Sequence, residues 1–591
     1  MPRSKPAFKK RVFKGNQHNP PTSPRPSFSG SSNNRGTNTP NVDRPRPQSA
    51  SSKKVSPFLK QYQLNENDES ENCIVNIGLL NEALSNVSVC KNCHGQLVYK
   101  VKHIVGLASK IIVSCSDCEN TITVTNSELV RPNTNQNEAK SDRPNTFYDL
   151  NLRLVYAMRN IGKGRVAAEK ICAFMNLTPP PLRYHEHEHY LGSIAELVCK
   201  KSMQSAVQEA VSDNDGCRDL AIAADGSWQK RGHLSLNGVV SVTSLSTGKV
   251  LDIEILSKYC RCTNRLNNTH GDGCIANFEG SSGAMEVAGA VAIFQRSQAL
   301  YEARYLEYLG DGDSKAYSSV CEAKPYGDTA ITKIECIGHV QKRMGSRLKN
   351  LKAKTKTLPD GSRLGGKNKL TDSAIIQLQK YYGLAIRRNT NSVEDMKKAI
   401  WAEFFHVMSS NERPQHGLCP DDEETWCKYR KAVKSNENYD HGSHFHLPEN
   451  LMTFIKPIFQ DLANPTLLGK CTKGKTQNPN ESLNNVIWTY IPKRTFVEIK
   501  TLKFGIYEAV TAFNDGYIGK CKVFQEIGVS PGQHFITAMK KLDRRRIWKA
   551  EKAQEDIEKK IRQKKNLLKR SLEDEYEEQE GDQPAYAPGM Y

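Results

Sequence analysis

Four carboxylates stand where this chain could do chemistry. Asp225 follows a small, apolar run in AIAADGSW, Asp311 and Asp313 close a second such run in YLEYLGDGDSK, and Glu481 is the only acid in NPNESLNNVIW. Both runs read as strands, and neighbouring strand ends in an α/β sheet converge on the crevice where such sheets bind ligands. Hard cations such as Mg²⁺ take oxygen ligands. Two of them held by about three carboxylates clamp both the attacking and the leaving oxygen of a phosphoryl displacement. Two strand-borne aspartates need a third group, and Glu481 is the candidate: ESLNNVIW reads as a helix opening, with Asn485 one turn on and on the same face. Taken singly, each acid has an alternative as a turn or helix-cap residue.

Cysteines form the second chemical signal. Cys90-x2-Cys93 and Cys115-x2-Cys118 are two knuckles separated by a strand-rich loop. Each knuckle presents two thiolates from one tight turn, so the pair completes a tetrahedral zinc site, with His94 as a spare donor. A closed four-thiolate site is structural and leaves no open position for catalysis. Cys260-x-Cys262 with His270 and Cys274 offers ligand types that suit zinc in a less regular spacing. Cys336-x2-His339 supplies only two ligands, for which His416, Cys419 and Cys427 are the natural distant partners. HEHEH at 185–189 reads as a solvated helix start or loop rather than a metal tract.

These residues need elements to hold them. From Ile74, alternating apolar runs such as GQLVYKVKHIV and KIIVSCSDCENTITVT predict a small β module. Residues 146–211 change to helical periodicity, with a Gly-containing break at IGKGR and a stop at TPPP; a helical hairpin is the commoner reading of such a pair, a helix-turn-helix the other. DLAIAADGSW, LSLNGVVSVTSL and VLDIEILS predict strands, 284–304 a helix, and RYLEYLGDGD a further strand. That order makes an α/β core. Residues 340–470 read mainly helical, and the tail from 536 is a charged helix that breaks at GDQPAYAPGMY.

The chain has 591 residues, enough for several cores, and 84 Lys/Arg against 64 Asp/Glu give a formal charge of +20. So basic a balance favours a polyanionic partner, with nucleic acid first. Residues 1–60, with thirteen Lys/Arg, one Asp and ten Pro, read as a disordered basic arm, and KPAFKKR within it fits nuclear targeting. No run approaches the length of a membrane span and the N-terminus has no apolar signal region, so an intracellular protein with mostly reduced cysteines is expected.

As a set, DGSW (225–228), GDGDSKAY (310–317), CIGHVQKRMGSRL (336–348) and NPNESLNNVIW (478–488) resemble the Mutator-like DDE transposases of eukaryotes. The resemblance covers roughly residues 85–540. It implies an α/β fold in which an RNase H-like catalytic core carries a large helical insertion, preceded by a small zinc ribbon and a helical segment. The segments are then 1–60 (arm), 85–130 (ribbon), 146–211 (helical), 219–320 (core, first part), 321–470 (insertion), 471–535 (core completion) and 536–591 (charged helix and tail). Asp225, Asp311 and Glu481 become the metal-binding triad, with Asp313 the alternative second acid, and Mg²⁺ or Mn²⁺ the catalytic ion beside structural Zn²⁺. Two-metal chemistry would cut transposon ends and join them to target DNA, in the nucleus and in a homo-oligomer pairing two ends. Lys342, Arg343, Arg347, Lys349 and Lys352, continued by Lys354 and Lys356, are candidates for DNA-backbone contact. Two other readings are a domesticated DNA-binding derivative that does not cut and a nuclease that hydrolyses without joining.

Overall fold

The computed structural model describes residues 48–62, 72–131, 146–229, 235–260, 262, 274–310, 315–366, 368–422, 425–493 and 495–555. Within the segment expected to be disordered, Ala50–Gln61 is a helix, α1, capped by Ser49, whose side chain accepts from the Ser52 N–H. Phe58 and Tyr62 at its end pack with Ile518, Cys521 and Ile536, and that apolar burial overrides the polar composition around it. A short helix α2 (Ile77–Val87) precedes three antiparallel strands, β1 (Leu97–Val105), β2 (Ala108–Cys115) and β3 (Thr121–Thr125), in the order β1-β2-β3. A two-residue pair, β4 (Leu129–Val130) with β5 (Phe147–Tyr148), leads to α3 (Asp149–Asn160), α4 (Arg165–Phe174) and the long α5 (Tyr184–Ser212). The Gly-containing break and the prolines fall between these helices as their φ preferences require.

The central sheet starts with β6 (Asp219–Trp228), β7 (Asn237–Ser244) and β8 (Val250–Ser257), an antiparallel meander. Helix α6 (Ser282–Tyr301) crosses back, and β9 (Arg304–Gly310) runs parallel to β6, with Ala223 opposite Leu309. After α7 (Lys315–Glu322), β10 (Thr332–Glu335) adds parallel to β9, so the sheet order is β10-β9-β6-β7-β8. This fifth strand lies inside 321–470, the segment assigned to the helical insertion; four residues, TKIE, are too few to show a period-2 pattern.

Helices α8 (Ile337–Lys354), α9 (Asp372–Arg388), α10 (Val393–Met408), α11 (Lys428–Lys434), α12 (Glu449–Leu462) and α13 (Pro465–Gly469) build an inserted helical layer. Its own core runs from Ile337 and Val340 through Tyr382, Ile400 and Phe459 to Cys471. The chain then returns to the sheet with α14 (Asn478–Tyr490) and α15 (Ile499–Asp515), and ends its described part with α16 (Cys521–Ile527) and α17 (Gln533–Lys552). Side chains alternate across β7: Val240 and Val242 join Ala290 and Phe294 of α6, while Val239 joins Leu483 and Ile487 of α14 and Ile506 of α15. The sheet is therefore covered on both faces, a mixed α/β arrangement. The expected charged helix is tied down by one acid: Asp543 is fully buried and accepts from the Tyr517 and Ile518 N–H groups at 2.9 Å each.

Candidate active site and cysteine clusters

Asp225 lies within β6 rather than at its end, opposite Ser241 on β7. Helix α14 is pinned over it by amides. Asn480, fully buried, accepts from the Thr243 hydroxyl at 2.7 Å and donates to the carbonyls of Ala223 and Ser241 at 3.2 Å each. Gln477 donates to the Ala224 carbonyl at 2.7 Å, and the Trp488 indole N–H to the Ser227 hydroxyl at 2.8 Å. Each such bond nets about 1 kcal/mol, and losing one side leaves a buried polar group unpaired, so the run holds the helix in a single register. Within that register Asn484, not Asn485, faces the acid and donates to Asp225 Oδ2 at 2.8 Å; Asn485 is exposed.

Glu481 sits in the first turn of α14, exposed, with Lys342 Nζ 3.9 Å from its Oε1. A third carboxylate enters from α6. A Cβ on Gly226 would meet Glu286 Cγ at 3.1 Å and Oε2 at 3.2 Å, so Glu286 lies directly against the residue after Asp225. Burial, then the charge of Glu286 and, more weakly, that of Glu481 push the Asp225 carboxyl up to about 7, against the Asn484 hydrogen bond. Sequence reasoning missed Glu286; a lone acid in the small, apolar stretch GAMEVAGAV was the available signal, but only the crossing of α6 over β6 shows where it points. β9, the strand beside β6, ends at Gly310, one residue before Asp311; Asp311 and Asp313 lie outside the described residues.

The basic run on α8 is largely paired. Arg343 binds buried Glu335 at 2.9 Å, Arg347 binds Asp461 at 3.1 Å and Lys352 binds Asp372 at 2.7 Å. Lys342 and Lys349, with Lys354 and Lys356 beyond them, are exposed.

In the small β module, Cys90, Cys93, Cys115 and Cys118 bring their sulfurs within 4.8 Å of one another. The N–H groups of Asn92 and Cys93 point at Cys90 Sγ and hold that thiol down, while Cys93 and Cys118, crowded against the other sulfurs, are pushed up. Cys260, Cys262 and Cys274 also converge, with Cys274 Sγ 3.4 Å from Cys260 Sγ; His270 lies outside the described residues. Cys336 and His339 do not join His416, Cys419 and Cys427 among the described residues. Cys336 is buried at the start of α8 with Ala223, Leu309 and Ile334, and the other three meet His406 instead. The HEHEH run opens α5, with His187 buried against Phe147 and His189 beside Lys500.

A family model described as Mutator-like transposase matches residues 71–427. The chain belongs to the Mutator-like transposase family. No curated protein and no solved structure matches it. The matched segment of this Mutator-like chain holds the cysteine module, the sheet with Asp225 and Glu286, and the insertion as far as Cys427. Glu481 lies beyond it. No described helix is long and apolar enough to cross a membrane.

Proposed function

We propose that this chain is a DNA transposase of the DDE type, in which an RNase H-like core uses Asp225, Glu481 and one acid of Asp311 and Asp313 to hold divalent cations, Mg²⁺ or Mn²⁺. The observation that carries the reading is the laying of α14, more than 250 residues later in the chain, over the central strand at Asp225: Asn480 and Asn484, on either side of Glu481, bond the backbone beside Asp225 and Asp225 itself. The mixed five-stranded sheet, covered on both faces and interrupted by a helical insertion before α14, is the arrangement this reading needs. Asp311 is the next residue in sequence after Gly310, where β9, the strand beside that of Asp225, ends, and it is therefore the favoured second acid.

The donor set fits a hard cation. Burial, then Glu286 and more weakly Glu481, raise the Asp225 carboxyl, and an ion at this acid would offset that cost by favouring its carboxylate form. When bound, such ions supply an activated water or hydroxyl nucleophile and neutralise charge on the phosphoryl group. Asn484 fixes the orientation of the Asp225 carboxylate, Lys342 places a cation beside Glu481 for the DNA backbone, and exposed Lys349 extends that track. Zn²⁺ in the Cys90/Cys93/Cys115/Cys118 site, and in Cys260/Cys262/Cys274 with His270, has a structural role. Work on transposon ends and target DNA places the protein in the nucleus, and pairing of two ends calls for more than one copy.

Incubation with labelled DNA carrying the element's own terminal repeats tests this. Mg²⁺-dependent joined products, lost in Asp225→Ala and Glu481→Ala, support the reading. Shifted but uncut DNA indicates a domesticated binder, and cutting without joining a nuclease; either overturns it.

A further inference from the structure

We infer that the helical insertion holds a closed structural zinc ion bound by His406, His416, Cys419 and Cys427. The ligands come from the last turn of α10, the irregular stretch that follows it, and the residue that caps α11. His416, Cys419 and Cys427 are buried and His406 half-buried.

Geometry distinguishes a metal site from ordinary hydrogen bonding. His406 Nδ1 and His416 Nδ1 are 3.1 Å apart, and each also has both sulfurs nearby: Cys419 Sγ at 3.7 and 3.6 Å, Cys427 Sγ at 3.6 and 3.5 Å. A ring nitrogen offers one lone pair or one proton, so neither can serve three partners at once. One atom at the centre serves all four. Zinc bonds of about 2.3 Å to sulfur and about 2.0–2.1 Å to nitrogen, at tetrahedral angles, require N···S edges of about 3.6 Å and an N···N edge of about 3.4 Å. The four observed N···S edges, 3.5 to 3.7 Å, match that figure, and the N···N edge, at 3.1 Å, is somewhat shorter.

The surroundings set the tautomers that ligation through Nδ1 demands. His416 Nε2 lies 3.0 Å from His441 Nε2, and His441 Nδ1 lies 2.8 Å from Asn411 Oδ1. An amide oxygen only accepts, so His441 carries its proton on Nδ1 and presents a bare Nε2; His416 must then carry its proton on Nε2, leaving Nδ1 free for a metal. Tyr429 stacks on the His416 ring at 4.1 Å, and Arg430 donates to the His416 carbonyl.

The site also answers what holds this stretch. No described residue from 409 to 444 belongs to the insertion's apolar core. A long irregular segment in a compact layer needs some other anchor, and a metal tying α10 to α11 supplies it.

Zinc analysis of the full chain, purified without chelator, tests the assignment. Cys419→Ser/Cys427→Ser should lower zinc by one equivalent per chain while Cys336→Ser leaves it unchanged. His441→Ala keeps all four ligands and serves if the double variant does not fold; it should weaken zinc retention against a competing chelator by about 10–100-fold at this site alone. Unchanged zinc content in a folded double variant, unchanged retention in His441→Ala, or an equivalent lost in Cys336→Ser would overturn it.

Discussion

Replacing Asp225 by Asn gives a signed, pH-dependent prediction. Without a divalent ion the Asp225 carboxyl rises from the ordinary 3.8 to about 7, first through burial and then through Glu286. The native state therefore holds a proton that the unfolded chain releases, so stability falls as pH rises from about 4 to about 7 and is flat above. At about 1.4 kcal/mol per pH unit the penalty reaches at most about 4 kcal/mol, and solvent reaching the half-buried group trims it to about 2–4 kcal/mol. Asn keeps the shape and can still accept from Asn484, but carries no charge to desolvate. In Mg²⁺-free buffer without chelator, so that cysteine sites keep any zinc, Asp225→Asn should melt several degrees above wild type at pH 8. That gap should shrink by roughly half at pH 5.5. Added Mg²⁺ should stabilise wild type alone, and more strongly above pH 7, because the ion binds the carboxylate form. A gap independent of pH, or an Asp225→Asn protein less stable at pH 8, would refute the argument that crowded carboxylates raise this group.

Three further outcomes follow. Glu286→Gln removes the largest charge acting on Asp225 and should move the midpoint of the same melting-versus-pH profile to lower pH; an unmoved midpoint means that Glu286 does not act on this acid. Lys520 and Glu508 form an ion pair with both side chains almost fully buried, so Lys520→Met should cost about 3–5 kcal/mol in denaturant unfolding, with Lys520→Met/Glu508→Gln recovering part of it. Gly289→Ala would place a Cβ 2.5 Å from Val240 Cγ2 where α6 lies on β7; a loss of about 1–3 kcal/mol is expected by thermal melting, and a neutral result would mean that helix and sheet are less closely packed there.

Legibility differed by the kind of signal. The strands at 219–257 and the helices α3 to α5 announce themselves by period and by Gly and Pro punctuation, and the CxxC knuckles by spacing. What escaped depends on partners remote in sequence. α1 is stabilised by Ile518 and Ile536, β10 by the edge of β9, and Glu286 reaches Asp225 only because α6 crosses Gly226. Asn484 rather than Asn485 faces the acid because the buried amide of Asn480 sets the rotation of α14, a detail that period alone leaves one residue uncertain. His406 stood in the spacing H-x9-H-x2-C-x7-C, but nine residues separate it from the next ligand, and only the packing of α10 against the following stretch brings it to the cysteines.

The most direct measurement of the central claim replaces Mg²⁺ with Fe²⁺ and maps where locally generated radicals cut the polypeptide. If Asp225 and Glu481 hold the same ion, the backbone is cut close to residue 225 and close to residue 481, and excess Mg²⁺ suppresses both cuts together. Cutting at only one of these positions, or at neither, would contradict a shared metal site.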